Sequence, residues 1–160
     1  MVLGNQDKCY IDFFENVYLP GGNSYYRENN EVNPGADTFF SDNHRVKKLM
    51  RTLDSMIEEH SLPLPDMMKM DVQGAELDVL MGGCKTIEHA MVVELELSVM
   101  RYNENGASAS EVISWMWNNG FELFDLSSIF LHCPTLNKKG HKKQDCSKLF
   151  YTMNSHGLFI

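Results

Sequence analysis

The stretch that decides the fold is PDMMKMDVQGAELDVLMGG, residues 65–83. The short, mostly apolar run Met67–Val72 predicts a strand, and the spacing of apolar residues in Ala75–Leu80 predicts a helix. Gln73–Gly74 forms the turn between them, because glycine permits a sharp reversal of the backbone. Gly82–Gly83 is a helix stop. A strand, a tight turn and a helix in this order are the repeating unit of an α/β sheet.

The alternation continues toward the C-terminus. Met91–Leu97 predicts the next strand, and a capping box at Ser108–Glu111 opens a helix that ends before Gly120. Phe121–Leu126 and Lys148–Met153 predict two further strands. Crossover helices imply a mostly parallel sheet that is covered on both faces, whereas the last strand, which no helix precedes, is expected to be antiparallel. The predicted fold class is α/β.

The first part of the chain is less regular. Lys8–Phe14 predicts a strand, and residues 20–45 predict a long surface loop that begins with a Pro-Gly-Gly-Asn turn. Apolar spacing over Val46–Ile57 suggests a helix, although Val46–Met50 fits a short edge strand equally well. Within this region Ser55–Glu58 matches a capping box and favours a helix start there.

Composition limits the classes of function. The chain has 160 residues, with 14 Lys and Arg against 22 Asp and Glu, and therefore a net charge of −8. This length predicts one domain over residues 1–160, large enough to hold a core without metal or disulfides. The acidic balance argues against nucleic acid and anionic membranes as partners. With no membrane span, no secretion signal and four cysteines without a CxxC pair, a cytoplasmic protein is expected.

Acidic residues lie toward the carboxyl ends of the predicted strands, the edge where α/β sheets bind ligands. Asp71 closes the first of these strands and Gln73 follows it, whereas Glu94 and Glu96 point to the same side of the next strand. Carboxylates in a covered strand are costly when they are buried unpaired. They should therefore face a cavity, a cation or a hydrogen-bond partner.

Other interpretations of these acidic residues stay open. Glu76 and Asp78 lie in the first turn of a predicted helix, where negative charge stabilises the helix dipole without any ligand. Glu96 could lie in solvent beyond the strand end. Asp71, Glu94 and Glu96 together could also bind a divalent cation, since hard cations prefer oxygen ligands.

The polar stretch 127–147 contains a basic group around His141 and four potential zinc ligands. The basic residues are most simply a solvated loop. The histidines and cysteines fit no usual spacing of a structural zinc site, so no metal is predicted. The four are His132, Cys133, His141 and Cys146.

In combination, these segments resemble the FkbM family of methyltransferases, over Leu3–Met153. The matching segments are Pro20–Tyr26, Leu53–Ser55, Pro65–Gly83, Val93–Leu95, Tyr102–Asn103 and Gly120–Phe121. The resemblance implies an S-adenosylmethionine-dependent O-methyltransferase with the Rossmann-like fold of class I methyltransferases. It also implies that the acceptor is a sugar or another hydroxyl-bearing small molecule.

The resemblance suggests roles for particular residues. Methyl transfer needs the acceptor oxygen in line with the methyl group and a residue that takes or orients the hydroxyl proton. By position, Asp71 and Glu94 are predicted to be the catalytic carboxylates. Four residues are predicted to bind the substrate: Gln73, Glu76, Asn23 and Ser24.

The sequence departs from the family in its first part. Class I methyltransferases open with a strand, a glycine-rich turn and a helix that hold the cofactor, and this pattern does not occur here. The resemblance therefore covers the second half of the family domain, with the N-terminal cofactor half missing and no cofactor-binding residue assigned. A sheet without its first strands exposes an edge, which predicts a homodimer or a partner chain. A non-catalytic remnant or interaction module is the alternative function.

Overall fold

A computed structural model of the chain describes residues 1–15, 20–99, 101–129 and 148–154. This part of the chain contains seven strands and five α-helices. In chain order they are β1 (Val2–Leu3), β2 (Cys9–Phe14), α1 (Ala36–Phe39), β3 (Arg45–Arg51), α2 (Leu53–Glu59), β4 (Met67–Met70), α3 (Glu76–Met81), α4 (Cys84–His89), β5 (Val92–Ser98), α5 (Ala109–Asn118), β6 (Glu122–Ile129) and β7 (Lys148–Asn154). No helix in these ranges is long and apolar enough to cross a membrane. The predicted basic loop and zinc ligands, over residues 132–146, lie outside the described residues.

The larger sheet has the strand order β4-β5-β7-β6. β4 and β5 are parallel, with Lys69 opposite Glu94 and Met70 opposite Leu95. β7 is antiparallel to both of its neighbours. The predicted antiparallel last strand is thus confirmed, and β4, β5 and β6 run in one direction. β7 lies between β5 and β6, so most of the described strand pairs in this sheet are antiparallel. The expectation of a mostly parallel sheet therefore holds for the common direction of β4, β5 and β6 but not for the strand pairing.

The two faces of β5 differ in burial. Val93, Leu95 and Leu97 are at most 2% exposed and pack in one hydrophobic core with residues of α3, α4 and α5. On the other face, the side chains of Glu94 and Lys69 are 26% and 57% exposed. The strict alternation shows that one face is packed and the other is open. The expectation that the sheet is covered on both faces is therefore not confirmed for β4 and β5.

The smaller sheet has the order β1-β3-β2. β3 is parallel to β1 and antiparallel to β2, so the ambiguous segment Val46–Met50 is a strand. α2 begins after Thr52, whose side chain accepts the amide hydrogen of Ser55 at 3.2 Å. The predicted capping box at Ser55–Glu58 is wrong, because the Ser55 hydroxyl instead donates to Asp7 at 2.7 Å.

A helix that the sequence analysis did not predict, α4, follows the Gly82–Gly83 stop. Asp54, at the start of α2, caps it by accepting hydrogen bonds from the backbone amides of Lys85 and Thr86 at 3.0 and 2.9 Å. Gly82 lies against the first segment of the chain, because a Cβ atom there would be 2.1 Å from the carbonyl oxygen of Gly4. The two glycines therefore join two helices and allow close packing.

The predicted ends of α5 are confirmed. Ser108 is the N-cap and forms a reciprocal capping box with Glu111. At the C-terminal end Gly120 has φ 86°, the left-handed conformation that favours glycine. Val112 and Met116 are buried on the face that packs into the core.

The long loop of residues 20–45 is not entirely on the surface. It contains α1, and Ser24, Ala36 and Phe40 are buried. Phe40 packs against Phe14 of β2, with ring centroids 5.5 Å apart. Two isolated bridges attach the loop to the domain: Phe14 pairs with Ser24, and Glu28 pairs with Asn103.

Candidate functional site

The turn after β4 has an unusual backbone. Gln73 and Gly74 both have positive φ, at 52° and 92°. A Cβ atom on Gly74 would lie 2.4 Å from Oδ1 of Asn103. Only glycine therefore combines the left-handed conformation with this close approach.

Glu76 holds this turn from inside. It is 5% exposed, and its carboxylate accepts hydrogen bonds from the backbone amides of Val72 and Gly74, both at 3.3 Å. Burial raises the pKa of Glu76, and the backbone amides partly offset that effect. The structure thus places this predicted substrate-binding residue beneath the turn, where it fixes the backbone.

Asp71 lies at the carboxyl end of β4, as the sequence analysis expected. It is exposed, and it accepts a hydrogen bond from the Gln73 side-chain amide at 2.5 Å. The two predicted site residues therefore contact each other. This contact orients the Asp71 carboxylate while leaving it open to solvent.

Glu94 and Glu96 lie on the open face of β5, next to Lys69 of β4. The Lys69 ammonium is 2.9 Å from Glu94. This hydrogen bond is the main reason why the pKa of Lys69 is raised, and the negative charges of Glu96 and Asp71 add to the effect. The ion pair between Lys69 and Glu94 lies on this partly exposed face and is not buried under packed side chains.

The divalent-cation hypothesis finds no support in this geometry. In the part of the chain that the structure describes, no three His, Cys, Asp or Glu side chains are grouped so that they could hold a metal ion. Lys69 pairs with Glu94 instead, and its positive charge opposes cation binding there.

Ser24 connects the long loop to the turn. Its hydroxyl donates to the carbonyl oxygen of Gln73 at 2.9 Å and accepts from the amide of Tyr26 at 3.1 Å. It is 2% exposed, so the structure assigns it to the attachment of the loop. Its neighbour Asn23 lines a pocket described below.

Sequence reasoning missed the contacts of Asp78, which it treated as a helix-dipole residue. Its carboxylate accepts hydrogen bonds from the hydroxyl groups of Tyr25 and Tyr26 at 3.0 and 2.6 Å, and from the Asn5 amide at 2.8 Å. Burial, followed by the effect of Asp78, raises the pKa of both tyrosines. Both phenols are therefore neutral donors at physiological pH. Their place in the opening segment Pro20–Tyr26 was the only sequence signal for this contact.

Two hollows adjoin these residues. One, of about 200 Å³, is a cleft lined by Tyr26, Gly74, Asp78 and Arg101, among others. The other, of about 230 Å³, lies between the long loop and Tyr102. We call it the aromatic pocket, because four of its lining residues are aromatic: Phe14, Phe39, Phe40 and Tyr102.

Comparison with known protein families identifies the domain. A family model described as the methyltransferase FkbM domain matches residues 3–123. The chain belongs to the FkbM methyltransferase family. No curated protein and no solved structure matches the chain. The FkbM match includes the turn after β4, Glu94 of β5 and the loop residues Asn23 and Ser24.

Membership in the FkbM family implies S-adenosylmethionine as the methyl donor. The described residues do not fit a glycine-rich cradle for it. Chain atoms already occupy the space beside their closely packed glycines: Gly82 lies against Gly4, Gly83 against Leu53, and Gly74 against Asn103. Within these ranges no glycine-rich turn joins a strand to a helix beside open space.

Proposed function

We propose that this FkbM domain belongs to an S-adenosylmethionine-dependent O-methyltransferase, and that its described residues form the side of the site that receives the acceptor. The acceptor is a hydroxyl-bearing small molecule such as a sugar. The observation that carries the proposal is the exposed Asp71 carboxylate, oriented by Gln73 at the carboxyl end of β4. Ligands of α/β sheets bind at this end of the strands.

Asp71 is suited to take the proton of the acceptor. A hydroxyl oxygen that gains a methyl group must lose its proton, and a positioned carboxylate within hydrogen-bond reach can accept it. Gln73 limits the rotation of Asp71 through their 2.5 Å hydrogen bond. Asp71 is thus the proposed catalytic base.

Glu94 has a different proposed role. Its carboxylate is paired with Lys69 at 2.9 Å and is 26% exposed. A carboxylate that is paired with an ammonium group can still accept a hydrogen bond from another hydroxyl group of the acceptor. Glu94 therefore orients the substrate next to Asp71.

Of the remaining predicted site residues, Glu76 and Ser24 hold the site together, whereas Asn23 contacts the acceptor. Glu76 fixes the turn from below through two backbone amides, and Ser24 attaches the loop to the Gln73 carbonyl. Asn23 is left to contact the acceptor from the aromatic pocket. These roles make Glu76 and Ser24 positioning residues.

The test is to replace Asp71 by asparagine. We expect Asp71→Asn to lower methyl transfer to a mixture of monosaccharides by a factor on the order of 100 or more, because the proton acceptor is lost. Transfer is measured with S-adenosylmethionine carrying a labelled methyl group. Asp37→Asn, at an exposed carboxylate in α1, is the control and should keep the full rate. Equal rates for the two variants would refute the catalytic role.

A second function is favoured by a specific observation. The described residues contain no open glycine cradle, and β4 has a neighbour on one side only within the described sheet. Both facts suit a non-catalytic interaction module whose edge strand is covered by a second copy or another chain. Calorimetry with S-adenosylmethionine and light scattering separate the two functions. A dimer that binds no cofactor would favour the module.

A further inference from the structure

The aromatic pocket contains a carboxylate that the proposed function does not use. Glu28 is the one charged residue that lines this pocket. Its Oε2 atom accepts a hydrogen bond from the neutral side-chain amide of Asn33 at 2.5 Å. Among the residues that the structure describes, no Lys, Arg or His forms an ion pair with Glu28.

The geometry of the pocket is fixed by its polar residues. The Asn33 amide that contacts Glu28 also lies 3.2 Å from the hydroxyl oxygen of Tyr102. One side chain thus positions both the carboxylate and an aromatic wall. Because these hydrogen bonds hold the side chains in place, binding requires little further ordering of them.

Aromatic rings and an uncompensated carboxylate favour a particular ligand chemistry. The faces of aromatic rings attract organic cations, and a carboxylate in a partly apolar site adds an ion pair. Phe14 already makes this contact inside the protein, with the guanidinium of Arg27 5.5 Å from its ring centroid, so a ligand would contact the other aromatic rings of the pocket. A neutral ligand would bury the Glu28 carboxylate with only the hydrogen bond from Asn33 and no opposite charge, which is costly.

The volume of the pocket and the net charge of the chain further restrict the class of ligand. A volume of about 230 Å³ is below the roughly 300 Å³ at which pockets for drug-sized ligands begin. The occupant is therefore a small molecule. The net charge of −8 raises the local concentration of cations and disfavours anionic ligands.

We propose that the aromatic pocket binds the alkylammonium group of a small hydroxyl-bearing molecule. Asn23 lines the pocket, and the adjacent Ser24 hydroxyl contacts the turn that carries Asp71. The ammonium group is the feature by which this part of the molecule selects its ligand. Only the identification of this ligand as the methyl acceptor rests on the proposed function, whereas the binding itself does not.

The test compares two ligands of the same shape. Choline carries a permanent positive charge and a hydroxyl group, and the alcohol in which carbon replaces its nitrogen is uncharged. Titrations of the full chain, followed by NMR without S-adenosylmethionine, should show that choline binds about tenfold or more tightly than the neutral alcohol. Equal affinities, or no binding of choline, would overturn the proposal.

Two variants identify the source of this preference. Glu28→Gln keeps the shape and the contact with Asn33, and should reduce the preference for choline over the neutral alcohol. Glu31→Gln is the matched control: it changes the net charge equally at an exposed position outside the pocket lining, and should bind choline normally. Equal losses in both variants would show a general charge effect and refute a role for the pocket.

A third variant tests the rings independently of Glu28. Phe39→Leu keeps an apolar side chain at a position that is 38% exposed, so folding is not at stake. It should weaken choline binding more than binding of the neutral alcohol, and equal weakening would contradict the proposal. Because the titrations contain no methyl donor, they test this inference independently of methyl transfer. If choline binds but neither choline nor the monosaccharides are methylated in the transfer assay, only the proposed function is refuted. Transfer to neutral acceptors without choline binding would refute only this inference.

Discussion

The packed face of the larger sheet and the turn after β4 are stabilised in different ways. Val93, Leu95 and Leu97 are held by apolar burial, which depends on size and shape but not on pH. The turn contains two residues with positive φ. It is stabilised by the buried carboxylate of Glu76, which accepts hydrogen bonds from two backbone amides. The difference shows what constrains the sequence in each region. On the packed face of the sheet a side chain must have the right volume, whereas in the turn particular atoms must be present or absent.

The largest loss of stability is expected from a substitution in the packed face of the larger sheet. Val93→Ala should lower the free energy of unfolding by about 2–3 kcal/mol, since it removes buried methyl groups and leaves a cavity. Val92→Ala changes the same side chain on the open face of β5, where Val92 is half-buried, and should cost clearly less. Urea unfolding measures both. Similar losses would show that the two faces of the strand are equally packed.

A smaller effect is expected in the turn. Gly74→Ala should lower the free energy of unfolding by about 1–2 kcal/mol from the left-handed backbone alone, with an added cost from the contact with Asn103. Gly35→Ala is the matched control, because Gly35 has φ 104° and nothing within 4 Å of its Cβ position. The difference between the two variants isolates the contact. If the two losses are equal, Asn103 does not constrain the turn.

The smallest effect concerns the pH dependence of the turn. Because burial raises the pKa of Glu76, the folded state binds its proton more tightly than the unfolded state, and this contribution to stability is lost as the pH rises from the unfolded pKa through the raised folded value. Glu76→Gln removes this dependence.

Urea midpoints measured between about pH 4 and about pH 7 test this prediction. Relative to the unmodified chain, Glu76→Gln should gain stability as the pH increases. Glu88→Gln, at an exposed position of α4, provides the control for the loss of one negative charge. Parallel curves for the two variants would show that Glu76 is not the source of the effect.

Local sequence signals predicted the elements whose determinants are close in the chain. The capping box of Ser108 and Glu111 and the glycine at position 120 define both ends of α5 within a few residues of it. The Ser55 motif failed for the opposite reason. The Ser55 hydroxyl bonds to Asp7, which lies 48 residues away, and no local pattern reveals such a partner.

The same limit explains why α4 was missed. Its first amides are capped by Asp54, about thirty residues earlier, so the sequence around Gly82–Gly83 shows a stop and no visible start. In the site, the rule for α/β sheets placed Asp71 and Gln73 correctly at the strand end. It did not reveal the link between Asp78 and the two tyrosines, which depends on tertiary packing across more than fifty residues.

The attachment of the long loop has a consequence for protein engineering. The loop is fixed near its start, by Ser24 and the two tyrosines, and again where Glu28 pairs with Asn103. Residues 30–43 lie beyond these anchor points and carry α1. Exposed positions of this segment, such as Asp37 and Thr38, can be varied to redesign ligand preference while the anchors keep the loop in place. Ala36 and Phe40 must be kept, because they are buried against Phe14.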